Sequence, residues 1–398
     1  MGRSFLRSWV LMASGASRVR ILVSAGESSG DMYAARLVEE LRKQMPEAEF
    51  FGCAGPKMRA AGVEAVVDAA SLSVVGLVEV LRHIPRIYGE YRSLKNAARE
   101  RKPGLAILTD SPDFHLRLAR YLKKLHVPIL YLIAPQVWAW RKGRIPAIRR
   151  NVDRLACIFP FEEQFFRNHQ VPADYIGHPL TRMAKPGLER AEFIRKHGIA
   201  ADHPLIAVLP GSRPGEISRH MPALVDAVNE IGRRVRATFI LATPAGFSGK
   251  FGASFFRKWC SMAPLRVVEG ETWDVVAHAG VALAASGTVT IETALLGTPM
   301  VTFYRVAGLT WRLGRHLVDV PFYSMVNLVA ERKIVPELIQ SDCTGERLAA
   351  EALRLLEDDA ARGRMRQDLA EVAGVLAGDH DPMERAAGIA RELLLERD

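Results

Sequence analysis

Cysteine is scarce. The 398 residues contain four, Cys53, Cys157, Cys260 and Cys343, and none forms a CxxC pair. That spacing excludes a zinc ribbon, and thiols so far apart in a chain this long do not make a disulfide framework; they read as ordinary thiols of a reducing compartment. Long apolar runs are also missing: no stretch approaches the roughly 18 apolar residues of a membrane-spanning helix. There is no GxxxxGK[ST], no GxGxxG after a strand and no HExxH, so the usual signatures of ATP-driven, nicotinamide and zinc chemistry are absent. Eleven histidines are scattered without metal-ligand spacing. The one DxD-like string, Asp379-His380-Asp381, lies in a helical region away from any strand end. No metal and no cofactor is expected. Alternating Arg/aromatic and RNP-like segments are lacking too, which argues against a nucleic-acid partner.

What is present is ordinary globular material, 49% hydrophobic and 25% charged. At roughly 150 residues per domain, the length implies two or three domains. Lys plus Arg total 54 against 44 Asp plus Glu, a net charge of +10. A cationic surface suits nucleic acid, anionic lipid headgroups or phosphorylated small molecules, and charge alone does not choose among them. The basic residues are dispersed, apart from clusters such as Arg141, Lys142, Arg144, Arg149 and Arg150. At the N-terminus, Arg3 and Arg7 precede a short apolar run, Trp9 to Ala13. The run is too short for a signal peptide and reads as a tail before a strand near Val19, with membrane contact a lesser alternative.

The interior alternates β-rich runs with helical segments. ILVSA (21–25), AILTD (106–110) and PILYLIA (128–134) mark the first half; LIAVLP (205–210), TFILA (238–242), VALAA (281–285) and PMVTFYR (299–305) mark the second. Continuous apolar strands separated by amphipathic helices predict parallel sheets covered on both faces. A polar break at 178–190, with Pro179, Pro186 and Gly187, divides the chain. The expected fold is α/β: two doubly wound, Rossmann-like domains, 1–185 and 186–345, facing a central cleft, with helices over 346–398 packing back on them. Ligands of such sheets sit at the carboxyl ends of the strands.

Four strings occupy those ends. Ser24-Ala25-Gly26-Glu27-Ser28-Ser29-Gly30-Asp31 fits GxSxG, the nucleophile elbow of α/β-hydrolases, with Asp110 and His178 as formal partners for Ser28. The same turn also suits an anion or hydroxyl at a helix start, with Ser28, Ser29 and Asp31 as caps; Glu27 is not needed for the turn and reads as functional. In Leu209-Pro210-Gly211-Ser212-Arg213, a glycine, a hydroxyl and an arginine at a helix mouth suit a diphosphate, although a surface ion pair would use Arg213 equally. Ser286, Gly287 and Thr288 open another helix, and Glu292 one turn in is either a ribose acceptor or an ordinary first-turn acid. Asp110 and Asp113 offer a general base and an orienting partner, with Asp110 the better base and helix capping the plainer role of Asp113.

Together with AGPKM (54–58), DSPDF (110–114), PQVWAWR (135–141), IGHPL (176–180), LPGSRPGEI (209–217), SGTVTIETALLGTPMVTFYR (286–305) and NLVAERKIVPELIQ (327–340), the string AGESSGD (25–31) makes the chain resemble lipid-A-disaccharide synthases, glycosyltransferases of the two-domain GT-B type. SGT, then Glu, then GxP is shared by many nucleotide-sugar transferases; AGESSGD with PQVWAWR is far more specific and makes the GxSxG match a coincidence. The resemblance implies transfer of 2,3-diacylglucosamine from its UDP derivative to the 6-hydroxyl of 2,3-diacylglucosamine 1-phosphate, giving a β(1→6) disaccharide 1-phosphate and UDP, with inversion and without metal. It implies an acceptor and catalytic role for the first domain, through Asp110, Glu27 and Asp113. The second would bind UDP through Gly211, Ser212, Arg213, Ser286, Gly287, Thr288, Glu292 and Asn327. It places the enzyme in the cytoplasm, peripheral on the inner membrane, and leaves a homodimer open.

An apolar stripe with Leu77, Val80, Leu81 and Ile84 at its start continues through Ile87, Tyr88, Tyr91 and Leu94, interrupted by Pro85 and flanked by Arg82, Arg86, Arg92 and Lys95. Such a stripe reads as core or as an interfacial helix; the resemblance favours acyl-chain or membrane contact. Ala134, Val326 and Glu331 stand where serine, proline and glycine are usual in the family, which bears on loop shape and acyl preference. Two alternatives stay open: another UDP-N-acetylglucosamine enzyme of this architecture, transferase or 2-epimerase, and a basic membrane- or nucleic-acid-binding protein with a degenerate sugar site.

Overall fold

The computed structural model describes residues 18–71, 77–252, 254–308, 311–312 and 320–396, without the side chains of 77–84 and 250. The N-terminal segment read as a tail lies outside this range.

The first sheet is built from β1 (Arg20–Ser24), β2 (Glu49–Ala54), β3 (Glu64–Asp68), β4 (Leu105–Thr109), β5 (Ile129–Leu132), β6 (Arg154–Cys157) and β7 (Ala173–Tyr175), in the order β3-β2-β1-β4-β5-β6-β7. The second comprises β8 (Leu205–Leu209), β9 (Thr238–Thr243), β10 (Leu265–Glu269), β11 (Val281–Ala285), β12 (Met300–Tyr304) and β13 (Glu337–Ile339), in the order β10-β9-β8-β11-β12-β13. All pairings are parallel. Every residue of β4 and of β8 is buried, which is why these strands read as unbroken apolar runs instead of alternating ones. In each sheet the strand order reverses about the first strand. The carboxyl ends of β1 and β4 flank one switch point and those of β8 and β11 the other, the places where doubly wound sheets bind ligands.

The chain divides into two compact units, 1–179 with 378–398, and 180–377. The boundary therefore falls a few residues before the expected 185/186, and the C-terminal helices do not act as one block. Helix Gly345–Glu357 lies against helix Pro214–Arg234 so closely that a Cβ on Gly345 would overlap Asp226 and come within 2.9 Å of the Ala227 nitrogen. Helix Pro382–Leu395 belongs to the first unit, where it packs on helix Ser28–Gln44, β4 and β5. Asp381 caps it, accepting from the amides of Met383 and Glu384 at 2.9 and 3.2 Å, so the DxD-like string ends in a capping residue. Arg154 ties the same helix down through Glu392 at 3.3 Å while pairing with Asp174 of β7 at 2.7 Å, and Asp174 also meets Arg385 of the helix at 3.6 Å.

Leu77, Val80, Leu81 and Ile84 begin helix Leu77–Arg101, and their side chains lie outside the described residues. Farther along, the stripe divides. Leu94 is fully buried and Tyr91 meets Phe114 edge-on, whereas Tyr88 is 59% exposed. Among the described residues no helix is long and apolar enough to cross a membrane. Glu331 closes helix Met325–Ala330 in the left-handed region, φ 53°, a conformation that glycine adopts without strain.

Candidate active site

Asp110 follows β4 directly, and the turn after β1 runs beside it. Its carboxylate accepts from the Gly26 amide at 2.8 Å and from the Glu27 amide at 3.0 Å, one bond to each oxygen. Both Asp110 and Ser111 have positive φ, 52° and 36°, a strained step that turns the carboxylate across the switch point. The Asp110 carbonyl is held as well, accepting from the Tyr131 hydroxyl at 2.5 Å and from His115 Nδ1 at 2.9 Å. A carbonyl can only accept, so His115 carries its proton on Nδ1 and its Nε2 accepts from the Ser24 hydroxyl at 2.8 Å. Burial keeps this imidazole neutral, with a pKa lowered to about 4. Burial likewise raises the Asp110 carboxyl to about 7; the Gly26 and Glu27 amides oppose the shift and the Glu27 charge adds to it. Only 14% of the Asp110 side chain is exposed. The result is a fixed carboxylate, more basic than usual and only slightly exposed.

In the second unit Gly211 sits at φ 113°, a conformation that favours glycine, and Arg213 is the N-cap of helix Pro214–Arg234. Arg213 Nη1 lies 3.4 Å from Glu216 Oε1, which also accepts from the Tyr304 hydroxyl at 3.2 Å. Buried His220 spans the switch point from β8 to β12: its Nδ1 donates to the Pro210 carbonyl at 2.7 Å, and its Nε2 accepts from the Arg305 amide at 3.0 Å. Ser286, Gly287 and Thr288 follow β11, with Ser286 donating to the Tyr323 carbonyl at 2.8 Å and Thr288 opening helix Thr288–Leu295. Two helix starts at the ends of neighbouring strands, one of them carrying an arginine, can hold a diphosphate.

A family model described as lipid-A-disaccharide synthetase matches residues 21–377. The chain belongs to the lipid-A-disaccharide synthase family. It is 59% identical over 375 residues to the lipid-A-disaccharide synthase of Solibacter usitatus, covering 94% of this chain and 97% of that one. It is 42% identical to that of Myxococcus xanthus over the same length, with the same coverage. Solved structures share the fold: UDP-GlcNAc 2-epimerase from Neisseria meningitidis, bound to UDP-GlcNAc, aligns with TM-score 0.62 at 12% identity over 95% of this chain and all of that one. The glycotransferase of kitacinnamycin aligns with TM-score 0.64 at 16% identity and the same coverage. As a family member the chain is a glycosyltransferase enzyme of GT-B fold.

Several residues of this synthase lie elsewhere than the sequence reading put them. The side chain of Asn327, expected at UDP, is engaged within the chain. It is fully buried, its Nδ2 donates to the Val335 carbonyl and Glu337, and its Oδ1 accepts from the Ile334 and Val335 amides, so the whole amide is used within the chain. Its work is to pin the loop around Glu337, which in turn accepts from the amides of Tyr323 and Ser324. Ser28, Ser29 and Asp31 are not caps of their own helix. Glu27 is the N-cap, and the Asp31 carboxylate reaches the next helix, accepting from the amides of Gly55, Lys57 and Met58 at 2.9–3.1 Å. Asp113 is 72% exposed and ion-paired to Arg141 at 3.0 Å and to Arg144, which suits a charge partner better than a base. His178 is buried against the rings of Tyr33 and Phe159, and burial lowers its pKa to about 3.

Glu162, His115 and Tyr131 were not singled out from the sequence. Glu162 is fully buried, accepts from Trp138 Nε1 at 2.9 Å and from the amides of Ile158 and Phe159, and is raised to about 7 by burial. The available signal was slight: Glu162 and Glu163 together open the helix after Pro160, as first-turn acids commonly do, and nothing local separates the buried one from its neighbour.

Proposed function

We propose that the chain transfers the 2,3-diacylglucosamine unit of its UDP derivative to the 6-hydroxyl of 2,3-diacylglucosamine 1-phosphate, with Asp110 as general base. The observation that carries this reading is a single carboxylate held at the switch point by two backbone amides, with its pKa raised to about 7. The acceptor oxygen attacks the anomeric carbon while the bond from that carbon to UDP breaks and its electron pair leaves with the diphosphate. The hydroxyl proton passes to the Asp110 carboxylate as the new bond forms; the base cannot remove it beforehand, but it can share it in the transition state. A single displacement inverts the anomeric centre. Arg213 and the helix starts at Ser212 and Ser286 to Thr288 meet the charge growing on the leaving group, with Glu292 on the ribose hydroxyls. Glu27 keeps Asp110 basic. Diacylated substrates place the enzyme on the cytoplasmic face of the inner membrane. Exposed Tyr88 and the stripe beginning at Leu77, Val80, Leu81 and Ile84 support that contact.

The test is UDP release from UDP-2,3-diacylglucosamine in detergent with EDTA, with and without the monosaccharide 1-phosphate. Acceptor-dependent UDP and a disaccharide product are expected; turnover of UDP-N-acetylglucosamine instead would keep the fold and replace the substrate. Arg213→Ala should raise the donor KM at least tenfold, about 1.5 kcal/mol for a lost charge-assisted bond, with little change in acceptor KM. Because the base works ionised, kcat/KM should fall as pH drops below about 7. The Glu27 charge raises Asp110, so Glu27→Gln should move that acid limb to lower pH. A limb that does not move would detach Glu27 from the base.

A further inference from the structure

We propose that Arg141 and Arg144, on the loop after β5, bind the 1-phosphate of the acceptor sugar; the assignment rests on the reaction proposed above. The two guanidinium groups converge on one carboxylate, with Arg141 Nη1 3.0 Å from Asp113 Oδ2 and Arg144 on Oδ1. Two positive charges face one negative charge, and the carboxylate is the most exposed of the three side chains: 72%, against 48% for Arg141 and 16% for Arg144. Asp113 thus sits where a phosphate would sit. Exposed ion pairs of this kind contribute little, so a dianionic phosphate, with more oxygens for each planar fork, displaces it readily.

The cluster is built to stay in place. Trp140 underlies it, with Arg141 Cζ 4.3 Å and Arg144 Cζ 5.8 Å from the ring centroid. Its neighbour Trp138 is fastened in the core by Glu162. The backbone is left-handed both at Ile133 (φ 64°) and at Arg141 (φ 59°), and for a β-branched residue that is an outlier of the kind found at functional loops. The cluster also adjoins the base. Asp113 stands in the first turn of helix Pro112–Lys124, three residues after Asp110, and the Tyr131 hydroxyl on the Asp110 carbonyl lies in the fields of both Arg144 and Asp113. In a pyranose, the carbon bearing the 6-hydroxymethyl group and the carbon bearing the 1-phosphate flank the ring oxygen. A sugar with its 6-hydroxyl at Asp110 therefore carries its phosphate to a neighbouring cationic site.

The deciding experiment compares two acceptors, the diacylglucosamine with and without its 1-phosphate, in wild type, Arg141→Ala and Arg141→Ala/Arg144→Ala. The double variant should lose roughly 100-fold in kcat/KM on the phosphorylated acceptor, as for charge-assisted bonds removed, and little on the other, with donor KM unchanged. Equal losses on both acceptors, or a change confined to donor KM, would overturn the site. Arg141→Ala removes only an exposed side chain and should show the same trend should the double variant fold poorly. A second readout needs no turnover: glucosamine 1-phosphate should change Trp140 emission saturably in wild type, and not in the double variant or in Trp140→Phe. Binding without transfer would leave the site and remove the reaction; transfer with no effect of the arginine variants would do the reverse. Variants that lose only binding to phosphatidylglycerol vesicles, and keep the acceptor preference, would make the cluster a lipid-headgroup contact and overturn the proposal.

Discussion

Asp110→Asn is expected to lower kcat by about 10²–10⁴-fold, the usual contribution of a positioned general base, with donor KM nearly unchanged. Asparagine keeps the shape but not the proton affinity. One of its atoms can still accept from the Gly26 amide, while its NH₂ faces the Glu27 amide, donor against donor, so the turn loses one bond. The same substitution has a signature in stability. The carboxyl rises from 3.8 to about 7 on folding. A raised carboxyl contributes stability that is complete below pH 3.8 and is lost as pH climbs through about 7. The asparagine carries no such dependence. Thermal unfolding at pH 5 and pH 8 should therefore show the variant gaining on wild type at the higher pH. Wild-type turnover in Asp110→Asn would remove Asp110 from catalysis.

Gly30→Ala should cost about 10²-fold in kcat although residue 30 touches no substrate, because a displacement of the order of 1 Å at a reacting group has that effect. In a helix, alanine normally replaces glycine with a gain of roughly 1 kcal/mol. Here its Cβ would overlap Asp110 Oδ2, lie 2.8 Å from Asp110 Cγ and stand 3.2 Å from Thr109 Cγ2. The carboxylate must swing away and give up both amides, so a net destabilisation of roughly 1–3 kcal/mol is expected. Gly89→Ala is the control, since a Cβ there meets nothing within 4 Å. Parallel melting curves and acceptor-dependent rates for the two variants decide the matter. An active Gly30→Ala enzyme would show that the Asp110 position is not critical.

The parts of this molecule that could be read from sequence are the parts set by near neighbours. β4 and β8 declared themselves because both faces of each are buried, and the glycine- and acid-bearing strings stood out because they interrupt such strands. Pairings across the chain left no local trace. Asp113 looks like a catalytic or capping residue until Arg141 and Arg144, about thirty positions on, are folded against it. Nothing local to Asn327 shows the loop that its side chain pins, and Asp31 looks like a cap of its own helix until Gly55 arrives. The stripe of helix Leu77–Arg101 was legible as a period, but which side chains it buries depends on partners such as Phe114 that no period encodes.

The return of helix Pro382–Leu395 to the first unit has a consequence for biosynthesis. Residues 18–179 leave the ribosome first, yet the helix that covers Ser28–Gln44 emerges only after all of 180–377. At about 5–20 residues per second, the interval is roughly 10–40 s. During that time the side of the nascent unit destined for Ile389 and Leu393 is uncovered, open to chaperones and to self-association. The first domain to be made is the last to be finished.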